Sequence, residues 1–522
     1  MQKRWIAYLA SAILLLASFS SIASAAVKTG AACTTLNATE IASGYIYTCI
    51  KSGKRLVWGK RIKVVVAKPT PTPTPTPPVA ISEPIGAVGG SPTTPISGAP
   101  CQNMGARVNN STGFLECRYV AGNALKFFQV SSQPEYSYVN TSPRSFETCR
   151  IRDYSNLVAS NSRPLPTAGK LKVALVPIDF SDYPGGVSPH AEILAEIKVI
   201  KDWFNQFSNG KLQLEIITYN SWIRAPKTSQ NYNWGHSGVS NATTLTNDQL
   251  VQDQMTAANP YFDFSNLNVV FFKYPKNVTT IESGIMTTVT VNTSQGVLHP
   301  FAVSQGYMVE KQGGPTWAYW IHELLHPLGL QGHAPGNGWP FSIMSTQSGA
   351  ALNITTWDQL LLNWLDARQV YCDDVATLKE SEVTLRSVDS NLDGVKSIMI
   401  KTSSHQMIVI ESRRKDFWSS AASTLSTREF IDGFYGVMVY TVDADVQNDR
   451  SQESGGDSGN DPKYPKFAYF QKISDSHTSD FDRVGQWKYV MYEGENIVVN
   501  GVKISLVKSG DFDTVKLEKT SS

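Results

Sequence analysis

Residues 316–333 read Thr316-Trp-Ala-Tyr-Trp-Ile-His322-Glu323-Leu-Leu-His326-Pro-Leu-Gly329-Leu-Gln-Gly-His333. A helix is predicted from about Pro315, with proline at an early position where its missing N–H does no harm. Two histidines four residues apart on a helix project from one face, one turn apart, so both imidazoles can reach a single ion. Glu323 is rotated by about one residue, which places its carboxylate beside a metal rather than on it. There it can take a proton from a metal-activated water and return it to a leaving group. Leu324 and Leu325 pack the helix into its domain. Pro327 and Gly329 break the helix, so the chain can turn back and bring His333 toward the same ion. Three of the eight histidines of the chain fall in these twelve residues. A few protein ligands plus water is the donor set of an open, catalytic zinc site.

Outward from this helix the sequence reads as a large domain of strands and helices. Leu171–Phe180 is a run of branched apolar residues, as in a buried strand. From Glu192 to Phe207 the residues Ile193, Leu194, Ile197, Ile200, Trp203, Phe204 and Phe207 share one broad helical face. Gly210 stops that helix, Lys211–Ile217 alternates as a strand, and Leu267–Phe272 is another apolar strand. After Cys372 the text becomes strand-like with repeated turns: Ser397–Ile400, Gln406–Glu411, Gly436–Val442, Asn496–Val499 and Lys503–Val507.

The whole chain has 522 residues, with 46 Lys+Arg against 44 Asp+Glu, 41% apolar and 17% charged. It is too apolar for a disordered chain, and its near-neutral balance argues against nucleic acid as the main partner. Residues 1–25 have a basic start, an apolar run from Trp5 to Ile22 and an Ala23-Ser-Ala25 end, the pattern of a secretory signal peptide. The alternative is a retained anchor over Trp5–Ile22, which approaches the ~18 residues that could span a bilayer. The expectation is a protein secreted from a bacterial cell and cleaved after Ala25, with no membrane anchor thereafter.

The cysteines fit that compartment. Cys33, Cys49, Cys101, Cys117, Cys149 and Cys372 all follow the signal, and an even count in an exported chain suggests disulfides. Cys33/Cys49 and Cys101/Cys117 have the same spacing, and each pair ends a similar phrase: Gly44-Tyr-Ile-Tyr-Thr-Cys49 and Gly113-Phe-Leu-Glu-Cys117. They read as two copies of a small module, each closed by its own bridge. Cys149 and Cys372 are then left to clasp the two ends of the intervening domain. The other reading makes Cys149 a thiolate that caps a metal in a latent form. Between the modules, Lys68–Pro78 alternates Pro and Thr and runs on in Gly, Ser and Pro, an extended spacer. The boundaries expected are signal 1–25, first module 26–67, linker 68–97, second module 98–148, catalytic domain 149–375 and a β-rich domain 376–522. The stretch Lys51–Lys68 holds seven Lys/Arg and no acid. It is either a solvated face or an adhesive patch for an anionic polymer such as a cell wall.

The His-Glu-His phrase resembles the extended zinc signature of the metzincin-type metallopeptidases, in particular the secreted peptidases similar to immune inhibitor A. Leu175–Asp182, Phe207–Leu212, Trp339–Ser345 and Trp357–Leu365 resemble further segments of that family, so the likeness covers roughly residues 170–370. It implies an α+β fold. A zincin-like catalytic domain with a mixed sheet and an active-site helix would be preceded by the small modules and followed by an all-β domain. It implies a zinc-dependent endopeptidase acting on protein or peptide, with Glu323 as general base and acid and His322, His326 and a third residue as ligands. Met344 would lie in a methionine turn beneath the metal. The family places its third ligand three residues after the glycine, where this chain has Gly332. His333 is one residue further on and is the expected ligand, with Asp358 as the alternative. Tyr319 and His299 are candidates for an oxyanion donor, although core and surface roles suit them as well.

Two rival functions stand beside this one: a cell-envelope-binding protein on an inactive peptidase fold, and a zinc hydrolase of cell-wall peptides. Structural calcium is a further candidate. Asp389–Gly394 mimics the start of a calcium loop but has Ile400 at the twelfth position, and reads better as a hairpin turn. Asp443, Asp445, Asp449, Glu453, Asp457 and Asp461 form either a calcium-holding or an exposed acidic loop.

Overall fold

The computed structural model describes residues 28–34, 39–42, 45–60, 62–63, 95–120, 124–131, 145–151, 165–232, 247–281, 285–304, 306, 315–330, 342–344, 352–390, 394–414, 418, 436–444, 468–470, 490–510 and 512–520. The chain divides into two units, one ending at Pro92 and one beginning at Thr93.

In the first unit, strands Thr39–Ala42, Tyr45–Ser52 and Arg55–Trp58 form an antiparallel sheet. The second unit opens with strands Arg107–Asn110, Gly113–Val120 and Ala124–Ser131 in the same order. The likeness extends to individual hydrogen bonds. Gly30 donates to the carbonyl of Trp58 as Gly98 does to Phe127, both at 2.7 Å. Trp58 donates to Ala31 as Phe127 does to Ala99, both at 2.8 Å. Gly30 and Gly98 have φ of 86° and 87°, a conformation that favours glycine. The bridges Cys33–Cys49 and Cys101–Cys117 are formed, each spanning 16 residues. The two modules are structural repeats, as their cysteine spacing predicts.

The large domain is built on a mixed sheet. Its strands run Ile223–Arg224, Gly169–Asp179, Val269–Lys273, Phe301–Ser304 and Ile285–Thr288, with Leu212–Thr218 paired to the start of Gly169–Asp179. The pairings are parallel except for that of the edge strand Ile285–Thr288 with Phe301–Ser304. Strand side chains alternate between faces, and the sheet is apolar on both. Leu171, Val173, Leu175, Val269, Phe271 and Val303 face the helices His190–Phe207 and Thr316–Leu328. Ala174, Val176, Ile178, Val270 and Phe272 face the helix Asn247–Ala258. Met104 and Leu125 of the second module pack against the first of these clusters.

The helix His190–Phe207 differs from its predicted face at one position. Leu194 is 48% exposed, whereas Glu196 and Val199 are buried. The helix is turned so that Glu196 meets Lys273 at 2.9 Å, and Glu192 meets the same ammonium at 3.0 Å. Burial alone would lower the Lys273 pKa, but the Glu196 and Glu192 carboxylates outweigh it and hold the ammonium above its ordinary value.

Among the described residues, those after 376 contain every strand predicted from the sequence. One sheet runs Val370–Asp374, Ser397–Lys401, Gln406–Arg413, Gly436–Asp443 and Ala468–Phe470, and a second runs Ser381–Leu385, Asp513–Lys519, Val502–Lys508 and Asn496–Val499. Ile398, Ile400, Ile408, Ile410, Val437 and Val439 of the first sheet pack with Val383, Leu385, Ile504, Leu506, Val515 and Leu517 of the second. The other face of the first sheet places Met399, Met407, Val409 and Tyr440 in one cluster with Trp357, Leu365 and the Cys149–Cys372 bridge. The clasp expected between those two cysteines is formed across 223 residues.

Candidate metal centre

The helix Thr316–Leu328 forms because its apolar residues recur at helical spacing. Trp317, Trp320, Ile321, Leu324, Leu325 and Leu328 are all buried against the sheet. Pro315 precedes its first turn, and Gly329 ends it at φ 132°. Within that frame His322 is buried, and Glu323 and His326 are half-buried. The ligand-capable atoms of His322, Glu323 and His326 all lie within 4.8 Å of one another, so these three residues could hold a metal ion.

The imidazoles are oriented for that task. His322 Nδ1 lies 2.7 Å from the carbonyl oxygen of Ile343, and His326 Nδ1 lies 2.8 Å from that of Leu330. A carbonyl only accepts, so each Nδ1 carries the proton and each Nε2 is the ligating nitrogen. The two Nε2 atoms are 3.3 Å apart. Two nitrogens each about 2.0–2.1 Å from a tetrahedral zinc stand about 3.3 Å apart. The donor set and its spacing therefore fit zinc. Backbone carbonyls bonded to the distal nitrogens are the outer support that metal-ligating histidines require.

Sequence reasoning missed both carbonyls, because no side-chain pattern marks a backbone acceptor. It also missed what Tyr319 does. The half-buried Tyr319 lies one turn before Glu323, and its hydroxyl is hydrogen-bonded to the Glu323 carboxylate. Burial first, then that carboxylate, pushes the phenol well above its usual range. The i, i+4 spacing was the available signal.

Met344 is buried in the same apolar cluster as the helix, and its neighbour Ile343 supplies the carbonyl to His322. His333 lies outside the described residues. Asp358 does not join the His322–Glu323–His326 group; it is buried and accepts the Thr355 hydroxyl at 2.7 Å. Burial, reinforced by the nearby Glu411 carboxylate, pushes its pKa up to about 7 against the lowering effect of Thr355. His299 is exposed and engaged with the Thr290 hydroxyl at 3.0 Å. Of the calcium candidates, Asp389 is buried and accepts from Asn353 at 2.8 Å, and Asp443 is engaged with His405 at 2.9 Å and Gln406 at 2.8 Å. Asp445, Asp449, Glu453, Asp457 and Asp461 lie outside the described residues.

No family model matches the chain, and no curated protein matches it. Among solved structures, wild-type OgpA from Akkermansia muciniphila is similar at 13% identity, over 55% of this chain and 87% of that one, with a TM-score of 0.22. A score that low carries no argument about fold or activity.

Proposed function

We propose that this chain is an exported zinc-dependent endopeptidase, with His322, His326 and His333 as metal ligands and Glu323 as general base and acid. One observation carries the proposal: the two Nε2 atoms face each other at 3.3 Å, each with its Nδ1 held by a carbonyl, and Glu323 stands beside them. Zinc, when bound, supplies Lewis acidity at the scissile carbonyl and makes a water molecule acidic near neutral pH. Glu323 accepts the proton of the attacking water and passes it to the departing amine. The Tyr319 hydroxyl donates to that carboxylate. Export is supported by the signal-like start and by three disulfides, which persist in oxidising compartments. Among the described residues no helix is long and apolar enough to cross a membrane.

A second reading of the substrate, peptide within a bacterial cell wall, is favoured by the first module. Lys51, Lys54, Arg55 and Lys60 are exposed there. Their counterparts by register in the second module include Tyr119, Ala124 and Gln129, so the shared fold does not require the charge.

Metal analysis of the secreted protein, with casein and purified cell wall digested in parallel with and without chelator, tests both readings. The expected result is stoichiometric zinc and chelator-sensitive hydrolysis that Glu323→Ala abolishes. Equal hydrolysis by wild type and Glu323→Ala would overturn the mechanism. Bound zinc without any hydrolysis would support an envelope-binding protein instead.

A further inference from the structure

The carbonyl that orients His322 is itself held by a buried ionic network of the C-terminal sheet. Ile343 accepts from His322 through its oxygen and donates through its N–H to the carbonyl of Asn353 at 2.8 Å. The Asn353 side chain is gripped from both ends. Its oxygen accepts from the Arg413 guanidinium, and its amide donates to Asp389 at 2.8 Å. Arg413 in turn pairs with Glu411 through Nε at 2.9 Å and through a second guanidinium nitrogen. The other Glu411 oxygen accepts from the backbone N–H of Thr356 at 2.8 Å, the Thr356 hydroxyl at 2.7 Å and the Tyr440 hydroxyl at 3.1 Å. Arg413 is 1% exposed, and Glu411 and Asn353 are fully buried.

Buried charges are retained at a desolvation cost, and the sandwich core beyond this sheet is apolar without them. The network instead ends on the segment that faces the metal centre. We propose that Arg413, acting through Asn353, is a positioning residue for the metal ligand His322, so that the C-terminal β-sheet is part of the support of the site. This rests on the reading of His322 as a zinc ligand. Only two hydrogen bonds, at Ile343 and Asn353, separate the imidazole from the residue that Arg413 holds. A shift of the Asn353 backbone therefore moves the Ile343 carbonyl and turns the ring.

The test compares wild type with Asn353→Ala, Arg413→Lys and the double variant, using Val439→Ala as a control. Val439 is fully buried between the two C-terminal sheets, so its truncation lowers stability without touching the network. Zinc affinity is measured by competition with a chromogenic chelator, and hydrogen exchange of the Ile343 amide is measured in metal-free protein. Asn353→Ala and Arg413→Lys should each weaken zinc binding roughly tenfold or more, the range seen for outer supports of metal ligands. The double variant should be no worse than the poorer single one, because both act through one path. Both singles should also speed Ile343 exchange, and Val439→Ala should change neither quantity. Wild-type zinc affinity or wild-type Ile343 exchange in both singles would overturn the proposal. So would equal loss of zinc affinity in Val439→Ala. If wild type binds no zinc, the ligand reading itself fails; unchanged exchange in the variants leaves that reading intact and sinks the positioning role alone.

Discussion

His322 and Ile343 are joined by a 2.7 Å hydrogen bond from the imidazole Nδ1 to the backbone carbonyl. This bond selects the tautomer with Nε2 turned to the metal side. His326 repeats the arrangement with Leu330 four residues further along its own chain.

Removal of either imidazole should therefore abolish stoichiometric zinc. His322→Ala and His326→Ala, purified and analysed by elemental mass spectrometry, should contain far less than one zinc per chain. Glu323→Gln should keep its zinc and lose at least about a hundredfold in kcat, the usual contribution of a positioned base. Loss of zinc in Glu323→Gln would make Glu323 a ligand rather than the base.

Tyr319→Phe removes the donor to Glu323 and little else. A hydrogen bond to a charged group contributes about 1.5–3 kcal/mol, so kcat should fall by about ten- to a hundredfold with zinc content unchanged. Steady-state kinetics on a peptide substrate would show it, and unchanged kcat would mean that the bond does not orient the carboxylate in turnover.

Asp358 makes stability depend on pH in a stated direction. Its carboxyl ionises near 3.8 when unperturbed and near 7 in the folded protein. Between those values the folded state keeps a proton that the unfolded state releases, so its stabilising contribution is full below about pH 4 and is lost as pH rises to about 7. Urea midpoints of Asp358→Asn and wild type should diverge across that window in favour of the variant. Identical slopes would mean that Asp358 is ionised when folded.

The Cys149–Cys372 bridge closes a loop of 223 residues. The chain-entropy model assigns such a bridge about 5 kcal/mol, and the Cys33–Cys49 and Cys101–Cys117 bridges about 3 kcal/mol each. The Cys149→Ser/Cys372→Ser double variant should thus unfold at a midpoint about 10 °C lower or more. Calorimetry of the oxidised proteins would measure this.

The basic first module should bind polyanions and the second should not. Wild type should be retained on an immobilised anionic polymer and released with rising salt. Replacing Lys51, Lys54, Arg55 and Lys60 by Gln should remove most of that retention without changing peptide hydrolysis. Equal retention of the variant would make the patch a solvated face.

Local periodicity was enough to read much of this molecule. His322 and His326 share a face because four residues make about one turn, whatever surrounds them. Leu171–Phe180 shows itself as a buried strand because it is apolar on both faces. The bridges Cys33–Cys49 and Cys101–Cys117 could be paired from repeat spacing. Leu194 was misplaced because the helical wheel around Ile193 and Ile197 is wide. Its true orientation is set by Lys273, on a strand 77 residues from Glu196.

The side chains able to hold a metal, His322, Glu323 and His326, can be named from one helical stretch alone. Their orientation was decided only in three dimensions. The carbonyls of Ile343 and Leu330, and the Arg413–Asn353 contact between residues 60 apart, come from the packing of separate segments. Backbone oxygens are the same in every residue, and a buried ion pair leaves no periodic mark. Such contacts become visible only when the fold brings them together.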